Sequence, residues 1–296
     1  MIFLFLFLIL FFIFLFLRFV SFRLIFQKPL LSIFYSIKDV YSFFVHRGWN
    51  NLSTGQIIAY VGLFGQGKTL SAVHHVVRLY RRYNGLKVYD NFRKKWVIQR
   101  VHVISNVSLN IPYENFISLA QIVQAASRFH DYDIDNDTLT CIICLGDEFS
   151  VQMNSRNFKS NIDATFLNTL LTCRHYHISL IYTAQRFSHV DALLRQVTSY
   201  VYDCHKYWRF MTHSKFDAWN LENSSNPESV KPLSRFGWFV RNRDFEEYDT
   251  LACVGSLSRS CASGDMLSEE EILANQCNMN TSVNISFPKK IKLKKG

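Results

Sequence analysis

The cysteines of this sequence show neither the pairing pattern of a disulfide framework nor the spacing of a zinc site. The chain of 296 residues has an odd number of scattered cysteines, at positions 141, 144, 173, 204, 253, 261 and 277. A chain of this length can bury a full-sized core without disulfide bonds, so the cysteines indicate reduced thiols. Cys141 and Cys144 form a CxxC pair, but they lie in an apolar run, and no second pair supplies further metal ligands. We therefore predict that both side chains pack in the core.

Other familiar functional patterns are also missing. The two closest histidine pairs, His74 with His75 and His175 with His177, lack zinc-site spacing and further ligands. No Ser/His/Asp grouping of recognisable spacing occurs. No helix-turn-helix, zinc finger or basic groove interleaved with aromatic residues can be identified either. A nucleic-acid partner therefore cannot be inferred from a binding motif.

Polar side chains are absent from the N-terminus. Residues 1–17 are all apolar, and as a helix they extend ~26 Å against a bilayer core of ~30 Å. Phe19 and Val20 can extend this helix. A secretory signal peptide would have a basic first segment, a shorter apolar core and a small-residue cleavage site, none of which is visible. We therefore predict an N-terminal transmembrane helix that is retained as a single-pass anchor.

Basic residues follow this apolar run and none precedes it. Arg18, Arg23 and Lys28 are the first of them, so the positive-inside rule predicts that the rest of the chain is cytoplasmic. The segment over residues 22–45 alternates apolar and basic residues and predicts an interfacial helix. The formal net charge is +10, and five lysines are concentrated in residues 288–296. Runs of charge are usually solvated, so this tail is assigned no role.

From Gln56 onward, short β-rich runs alternate with helical stretches, which predicts an α/β fold with a mainly parallel sheet flanked by helices. We predict helices over residues 70–80, 119–129 and 164–174, and a loop over 223–232, where Asn, Ser and Pro cluster. Strands are predicted over residues 56–61, 86–89, 101–105, 139–145, 178–183 and 200–203. The predicted domains are an anchor and interfacial segment (1–35), a linker (36–54), a P-loop domain (55–255) and a C-terminal extension with a basic tail (256–296).

Residues 62–69, GLFGQGKT, satisfy the pattern GxxxxGK[ST] between an apolar strand and a helix, as a phosphate-binding P-loop requires. Glycines allow backbone N–H groups to face phosphates, and the helix N-terminus favours negative charge. Lys68 would reach the β- and γ-phosphates of ATP, and Thr69 would ligate Mg²⁺. The predicted nucleotide-binding residues are Gly62, Gly65, Gln66, Gly67, Lys68, Thr69 and Leu70.

A second apolar strand ends in two carboxylates, Asp147 and Glu148. Ligands of open α/β sheets bind at this end of the strands. Asp147 is predicted to hold Mg²⁺, and Glu148 to polarise the water that attacks the γ-phosphate. An acidic pair after a strand is often a solvated turn, but its combination with the P-loop favours a catalytic role.

The next apolar strand ends at Gln185, which could sense the γ-phosphate or orient the water, or simply cap the strand. Arg174, just before that strand, could reach the nucleotide of a neighbouring subunit, because a guanidinium stabilises charge on phosphates. Composition alone favours an ordinary surface arginine.

These residues occur in an order that resembles the FtsK/HerA superfamily of DNA-pumping ATPases, and within it the zonular occludens toxin-like assembly ATPases of filamentous phages. The residues concerned are GxxGxGKT at 62–69, Ser105-Asn106, Asp147-Glu148, Arg174-His175, Thr183-Ala184-Gln185, Asp191, Arg195 and the closing segment 245–250. The resemblance implies ATP hydrolysis coupled to the movement of phage DNA, in a ring of subunits at the host inner membrane, with other assembly proteins as partners. It also implies that Glu148, Gln185 and Arg174 are catalytic.

Members of this phage type generally have the membrane span after the ATPase domain, whereas here the apolar run comes first. A genome-packaging ATPase or a plasmid-transfer motor therefore stays open as an alternative. A membrane scaffold switched by nucleotide is a second one, although a pure switch can dispense with Glu148. The strandedness of the DNA is left open.

Overall fold

The structure, a computed structural model, describes residues 2–116, 119–148, 173 and 176–249 of the chain. Three helices come first: α1 (Ile2–Arg18), α2 (Val20–Gln27) and α3 (Pro29–Val45). Pro29 occupies the first position of α3, where its missing N–H leaves no carbonyl without a partner. The segment predicted as one interfacial helix is therefore divided at Lys28, and α3 extends into the predicted linker.

The predicted transmembrane helix corresponds to α1, which has 17 residues. Its predicted extension through Phe19 and Val20 does not form, because Phe19 is extended, with φ −116° and ψ 116°, and α2 begins after it. Among residues 2–116, 119–148 and 176–249, no helix combines the length and the apolar character needed to cross a membrane.

A nine-stranded sheet, as far as the chain is described, forms the centre of the fold, in the order β10-β9-β8-β1-β7-β6-β3-β2, with β5 paired to β3. Its strands are β1 (Ile57–Val61), β2 (Lys87–Asp90), β3 (Lys95–Ser105), β5 (Glu114–Asn115), β6 (Thr138–Gly146), β7 (Ile178–Ala184), β8 (Tyr200–Tyr207), β9 (Phe210–Asp217) and β10 (Ser234–Phe239). Two further short strands, β4 (Ser108–Leu109) and β11 (Tyr248–Asp249), pair with each other. The α/β prediction is confirmed.

The centre of the sheet is parallel and its ends are antiparallel. Strands β8, β1, β7, β6 and β3 run parallel to one another, whereas β2, β9 and β10 pair antiparallel. All five residues of β1 and all seven of β7 are buried, because parallel strands are covered on both faces. The hairpin of β8 and β9 was not predicted, and β3 begins six residues before its predicted start.

Helices cover both faces of the sheet. They are α4 (Lys68–Tyr83), α5 (Leu119–Asp135), α6 (Ala192–Val197), α7 (Ala218–Asn223) and α8 (Asn242–Phe245). On one face Val73 and Val76 of α4 pack in a buried cluster with Tyr60 of β1. On the other face Ile122 of α5 packs in a second cluster with Ala59 of β1. This arrangement holds the N-terminus of α4 at the carboxyl end of β1. The predicted helix over residues 164–174 lies outside the described residues, apart from Cys173.

The CxxC prediction is confirmed. Cys141 and Cys144 are buried free thiols within β6. Burial raises the pKa of Cys141 to about 12 and that of Cys144 further still. Both thiols therefore stay protonated at neutral pH, which is typical of packing residues rather than of metal ligands.

Candidate functional site

The loop between β1 and α4 has the backbone conformation of a phosphate cradle. Gly62, Gly65 and Gly67 have φ angles of 151°, 76° and 74°, which residues with a Cβ rarely adopt. At Gly67 a Cβ would also lie 2.7 Å from Met211 Cε, and at Gly62 it would lie 2.9 Å from the Cys204 carbonyl oxygen. The backbone conformation therefore favours glycine at all three positions, and at Gly62 the nearby backbone oxygen also leaves no room for a Cβ.

Three other residues of the predicted nucleotide-binding set hold the loop against the rest of the fold. Lys68 is largely buried, and its ammonium donates to the Leu63 carbonyl oxygen at 3.2 Å, so the side chain crosses the loop. The Gln66 side-chain oxygen accepts the backbone N–H of Lys206 on β8 at 3.0 Å. Leu70 is buried in a small apolar cluster with Met211. Gln66 and Leu70 therefore anchor the cradle, while Lys68 supplies its charge.

Asp147 lies directly beside the P-loop. The Thr69 hydroxyl donates to Asp147 Oδ1 at 2.8 Å, and the Thr183 hydroxyl at the end of β7 donates to the same oxygen at 2.6 Å. Asp147 is 7% exposed. The two predicted metal ligands are therefore adjacent. The role of Thr183 was missed, although it is a polar residue at the end of an otherwise apolar strand.

Asn106 holds the backbone of Asp147 in place. Its side-chain amide donates to the Asp147 carbonyl oxygen at 2.9 Å, and its side-chain oxygen accepts the Asp147 N–H at 2.7 Å. This pair of bonds links the end of β3 to the end of β6. Asn106 entered the sequence analysis only through the family resemblance.

Glu148 follows in a left-handed conformation with φ 49°, which is uncommon for a residue other than glycine. Its N–H donates to the Thr183 hydroxyl oxygen at 2.9 Å. Thr183 thus accepts a hydrogen bond from the backbone of Glu148 and donates one to the side chain of Asp147. The Glu148 side chain is half-buried, so it can approach a bound substrate. A strained backbone held by a hydrogen bond is a common feature of functional sites.

Gln185 lies beside the P-loop. Together with Gly62, Leu63 and Gln66 it lines a cavity of about 300 Å³, which Asp203 of β8 also borders. Its proximity to the P-loop is compatible with phosphate sensing. Asp203 was not predicted as a site residue. Arg174 lies outside the described residues, so its predicted role stays a prediction.

Tyr248 of β11 also lies near the site. Burial raises its pKa, and the negative charge of Asp147 contributes to the shift. The phenol is therefore neutral at physiological pH. The segment 245–250, which is part of the family resemblance, therefore has a residue that borders the nucleotide site.

These residues fit ATP with Mg²⁺. A threonine hydroxyl and a carboxylate at hydrogen-bond distance are oxygen donors, which Mg²⁺ prefers, and such sites combine one or two carboxylates with phosphate oxygens. The glycine cradle, the N-terminus of α4 and Lys68 supply what the phosphates of a nucleotide need. The described arrangement is that of a P-loop nucleotide site.

No protein-family model matches the chain, and no curated protein matches it. Solved structures do match it. The N-terminal domain of zonular occludens toxin from Neisseria meningitidis is 17% identical, with a TM-score of 0.41, over 66% of this chain and 100% of that one. The genome-packaging NTPase B204 from Sulfolobus turreted icosahedral virus 2, in complex with ATPγS, is 14% identical, with a TM-score of 0.34, over 64% of this chain and 94% of that one.

ATPases 2 and 3 of EssC from Geobacillus thermodenitrificans are 13% identical, with a TM-score of 0.34, over 50% of this chain and 32% of that one. Two of these three neighbours are named as an NTPase or as ATPases. Identities this low say nothing about a shared activity, which has to be inferred from the residues of the site.

Proposed function

We propose that the chain is an ATPase that couples hydrolysis to the movement of phage DNA during export and virion assembly. The observation that carries the hydrolytic part is the contact between the Thr69 hydroxyl and Asp147 Oδ1, at 2.8 Å. It joins the P-loop to the acidic strand end, and a P-loop hydroxyl with an acidic side chain is the pair that holds Mg²⁺ in P-loop NTPases. The DNA part is supported by the family resemblance of the motifs and by the net charge of +10.

In this proposal the chain's own residues perform the following steps. The P-loop backbone and Lys68 hold the β- and γ-phosphates, and Thr69 with Asp147 would hold Mg²⁺. When bound, that ion neutralises charge developing on the phosphate oxygens. Glu148 orients the attacking water and accepts its proton. Gln185, beside the P-loop, contacts the γ-phosphate or the water, and Arg174 acts on the nucleotide of a neighbouring subunit in a ring.

The N-terminal helices are proposed to attach the protein to the inner membrane of the host cell, with the ATPase domain on the cytoplasmic side. Apolar side chains of α1 are exposed around the helix, including Phe3, Phe7 and Leu10 at 88%, 66% and 58%. Such a surface is unstable in water and favourable in lipid. Arg18 and Arg23 follow α1 and can contact anionic lipid headgroups.

The ATPase rate of the detergent-solubilised chain tests this proposal, measured alone, with single-stranded DNA and with duplex DNA. A rate that DNA stimulates and that Glu148→Gln abolishes supports a DNA motor. Stimulation by duplex alone favours the packaging or transfer alternative. ATP binding without hydrolysis favours the nucleotide-switched scaffold and contradicts the proposal.

A further inference from the structure

A cleft of about 660 Å³ lies beside the outer surface of α4. Five arginines line it, Arg78, Arg81 and Arg82 from α4, and Arg241 and Arg243 from the region of α8. All five are exposed. No residue of the P-loop, 62–69, is among those that line it. The cleft is therefore separate from the nucleotide site, although both use the same helix.

The charge of the cleft is positive. Two buried carboxylates, Asp244 and Glu247, face five guanidinium groups, an excess of three positive charges. Glu247 accepts a 2.5 Å hydrogen bond from Arg81, and Asp244 lies 3.7–3.8 Å from Arg241 and Arg243. The carboxylates thus fix three arginines in position and leave the cleft suited to an anion.

A cation would be the alternative ligand, because single ligand atoms of His74, Asp244 and Glu247 lie within 4.8 Å of one another. The surrounding arginines oppose that assignment, since each would repel a divalent ion at close range. His74 is also stacked on Trp238, with ring centroids 3.8 Å apart and an interplanar angle of 10°. The geometry therefore favours a negatively charged ligand over a metal ion.

Exposed aromatic rings continue the cleft. Phe239 lines it and lies 5.2 Å from Phe210 and 6.2 Å from Trp208, between ring centroids. Trp208 is 75% exposed, Phe210 53% and Phe239 45%. We refer to Trp208, Phe210 and Phe239 as the aromatic platform. The three rings are clustered as well as exposed, and contiguous apolar patches of this kind mark binding surfaces.

We propose that this cleft and the aromatic platform bind single-stranded nucleic acid, with phosphates on the arginines and unpaired bases on the rings. Guanidinium groups bind phosphates in pairs of hydrogen bonds, and aromatic rings beside a basic groove bind bases of any sequence by stacking. A duplex keeps its bases paired inside, so it can use the arginines but not the platform. This inference rests on the proposed function for its identification of DNA as the cargo.

Such a site would couple to hydrolysis through α4. The same helix carries Lys68 and Thr69 at its N-terminus and Arg78, Arg81 and Arg82 in its second half. The turn between β8 and β9 carries Trp208, while Lys206 nearby donates to Gln66 in the P-loop. Nucleic acid in the cleft would therefore contact two elements that form the nucleotide site.

Fluorescence anisotropy of the full-length chain tests the proposal, with a labelled 20-nucleotide single strand and the corresponding duplex. We expect tighter binding of the single strand. Trp208→Ala should weaken single-strand binding about tenfold and leave duplex binding unchanged, since stacking is lost. The control Trp219→Ala removes a tryptophan that is 67% exposed on α7 and should change neither affinity.

The role of the arginines is tested by the salt dependence of DNA binding. Arg78→Ala and Arg82→Ala should weaken binding of both DNAs and reduce the slope of log affinity against log salt by about one each. The control Arg128→Ala removes an exposed arginine of α5, on the other face of the sheet, and should change neither affinity nor slope. Equal affinity for single strand and duplex, unaffected by Trp208→Ala, would overturn the proposal.

Two further outcomes also decide the matter. Loss of self-association in Trp208→Ala with unchanged DNA binding would overturn the proposal and make the platform a subunit contact. The rate of ATP hydrolysis without DNA, measured in parallel, separates the ATPase proposal from the cleft proposal. Hydrolysis without a single-strand preference overturns only the cleft, whereas Trp208-dependent binding without hydrolysis supports the cleft and overturns the ATPase.

Discussion

The Thr69 hydroxyl at the start of α4 donates a 2.8 Å hydrogen bond to the Asp147 carboxylate at the end of β6, across 78 positions of sequence. The same carboxylate oxygen accepts a bond from Thr183 on β7 at 2.6 Å. One oxygen atom thus links three elements of the fold. The chemistry proposed for the site depends on that junction, so changes to these side chains should affect activity before they affect the fold.

Replacing Asp147 by Asn removes one negative charge and keeps the side-chain volume. We expect ATPase activity to fall at least about 100-fold, because loss of an anionic metal ligand removes several kcal/mol of transition-state stabilisation. The measurement is the hydrolysis rate as a function of Mg²⁺ concentration. Asp131→Asn, at an exposed position of α5, is the control. An unchanged Mg²⁺ dependence in Asp147→Asn would contradict the metal assignment.

Thr183→Val keeps the shape of a fully buried side chain but removes its bonds to Asp147 and to the Glu148 backbone. We expect kcat to fall about tenfold with KM for ATP changed only a few-fold, since the Asp147 carboxylate and the Glu148 backbone both lose a supporting hydrogen bond. The free energy of unfolding should fall by about 1–3 kcal/mol. Thr183→Ser keeps the hydroxyl and should restore kcat. Equal behaviour of the Val and Ser variants would remove Thr183 from the account.

The central strands could be predicted because parallel strands covered on both faces are continuous apolar runs. Residues 178–183 and 139–145 are of this kind, and each strand lies within two residues of its prediction. The P-loop could be predicted because its function depends on a local sequence. Both signals are contained in short segments of the chain.

The rest depends on contacts between distant segments. The strand β10 has mostly exposed side chains, so it carries no continuous apolar signal, and it gains its place by pairing with β9. Thr183 is an ordinary polar strand end until Asp147 lies beside it. The aromatic platform combines Trp208 from the turn between β8 and β9 with Phe239 from β10, so no aromatic-interleaved basic groove could be identified along the sequence.

Buried histidines predict a pH dependence of stability. Burial lowers the pKa of His75 and His213 from 6.5 to about 4. Between pH 6.5 and 4 the unfolded chain therefore binds more protons than the folded chain. The contribution of the two neutral histidines to the free energy of unfolding is therefore complete above pH 6.5 and is lost progressively as the pH falls to about 4.

His213→Phe isolates one of these two groups. Neither ring nitrogen of His213 has a hydrogen-bond partner among the described residues, and a phenyl ring can keep the stacking on Phe236. We expect stability at pH 7.5 to be unchanged or higher, and the loss between pH 6.5 and 4 to be smaller than in the wild type. Thermal unfolding of the variant and the wild type at pH 7.5, 6.5 and 4 measures this. An identical loss in the variant would contradict the assignment.

The lowered pKa of Glu114 predicts how the stability of the fold changes at acidic pH. A hydrogen bond from His102 at 2.9 Å is the largest of the favourable interactions, and together they lower the pKa of Glu114 from 4.5 to about 2. The stabilisation is present above pH 4.5 and is lost as the pH falls toward 2.

Glu114→Gln should therefore lower the free energy of unfolding at pH 7 by about 1.5–3 kcal/mol, the range for hydrogen bonds to a charged group. The difference from the wild type should shrink as the pH falls from 4.5 toward 2. Chemical unfolding across this range measures it, with the exposed Glu246→Gln as the control. A difference that does not depend on pH would show that the carboxylate charge is not the cause.

The central claim is that the P-loop and the acidic strand end form a hydrolytic site that drives a DNA motor. The ATPase rate of the wild type and of Glu148→Gln, with no DNA, with single-stranded DNA and with duplex, tests it most directly. We expect stimulation by single-stranded DNA in the wild type, and in Glu148→Gln a rate reduced about 100- to 10,000-fold with ATP binding retained. Hydrolysis of equal rate in both proteins would contradict the claim.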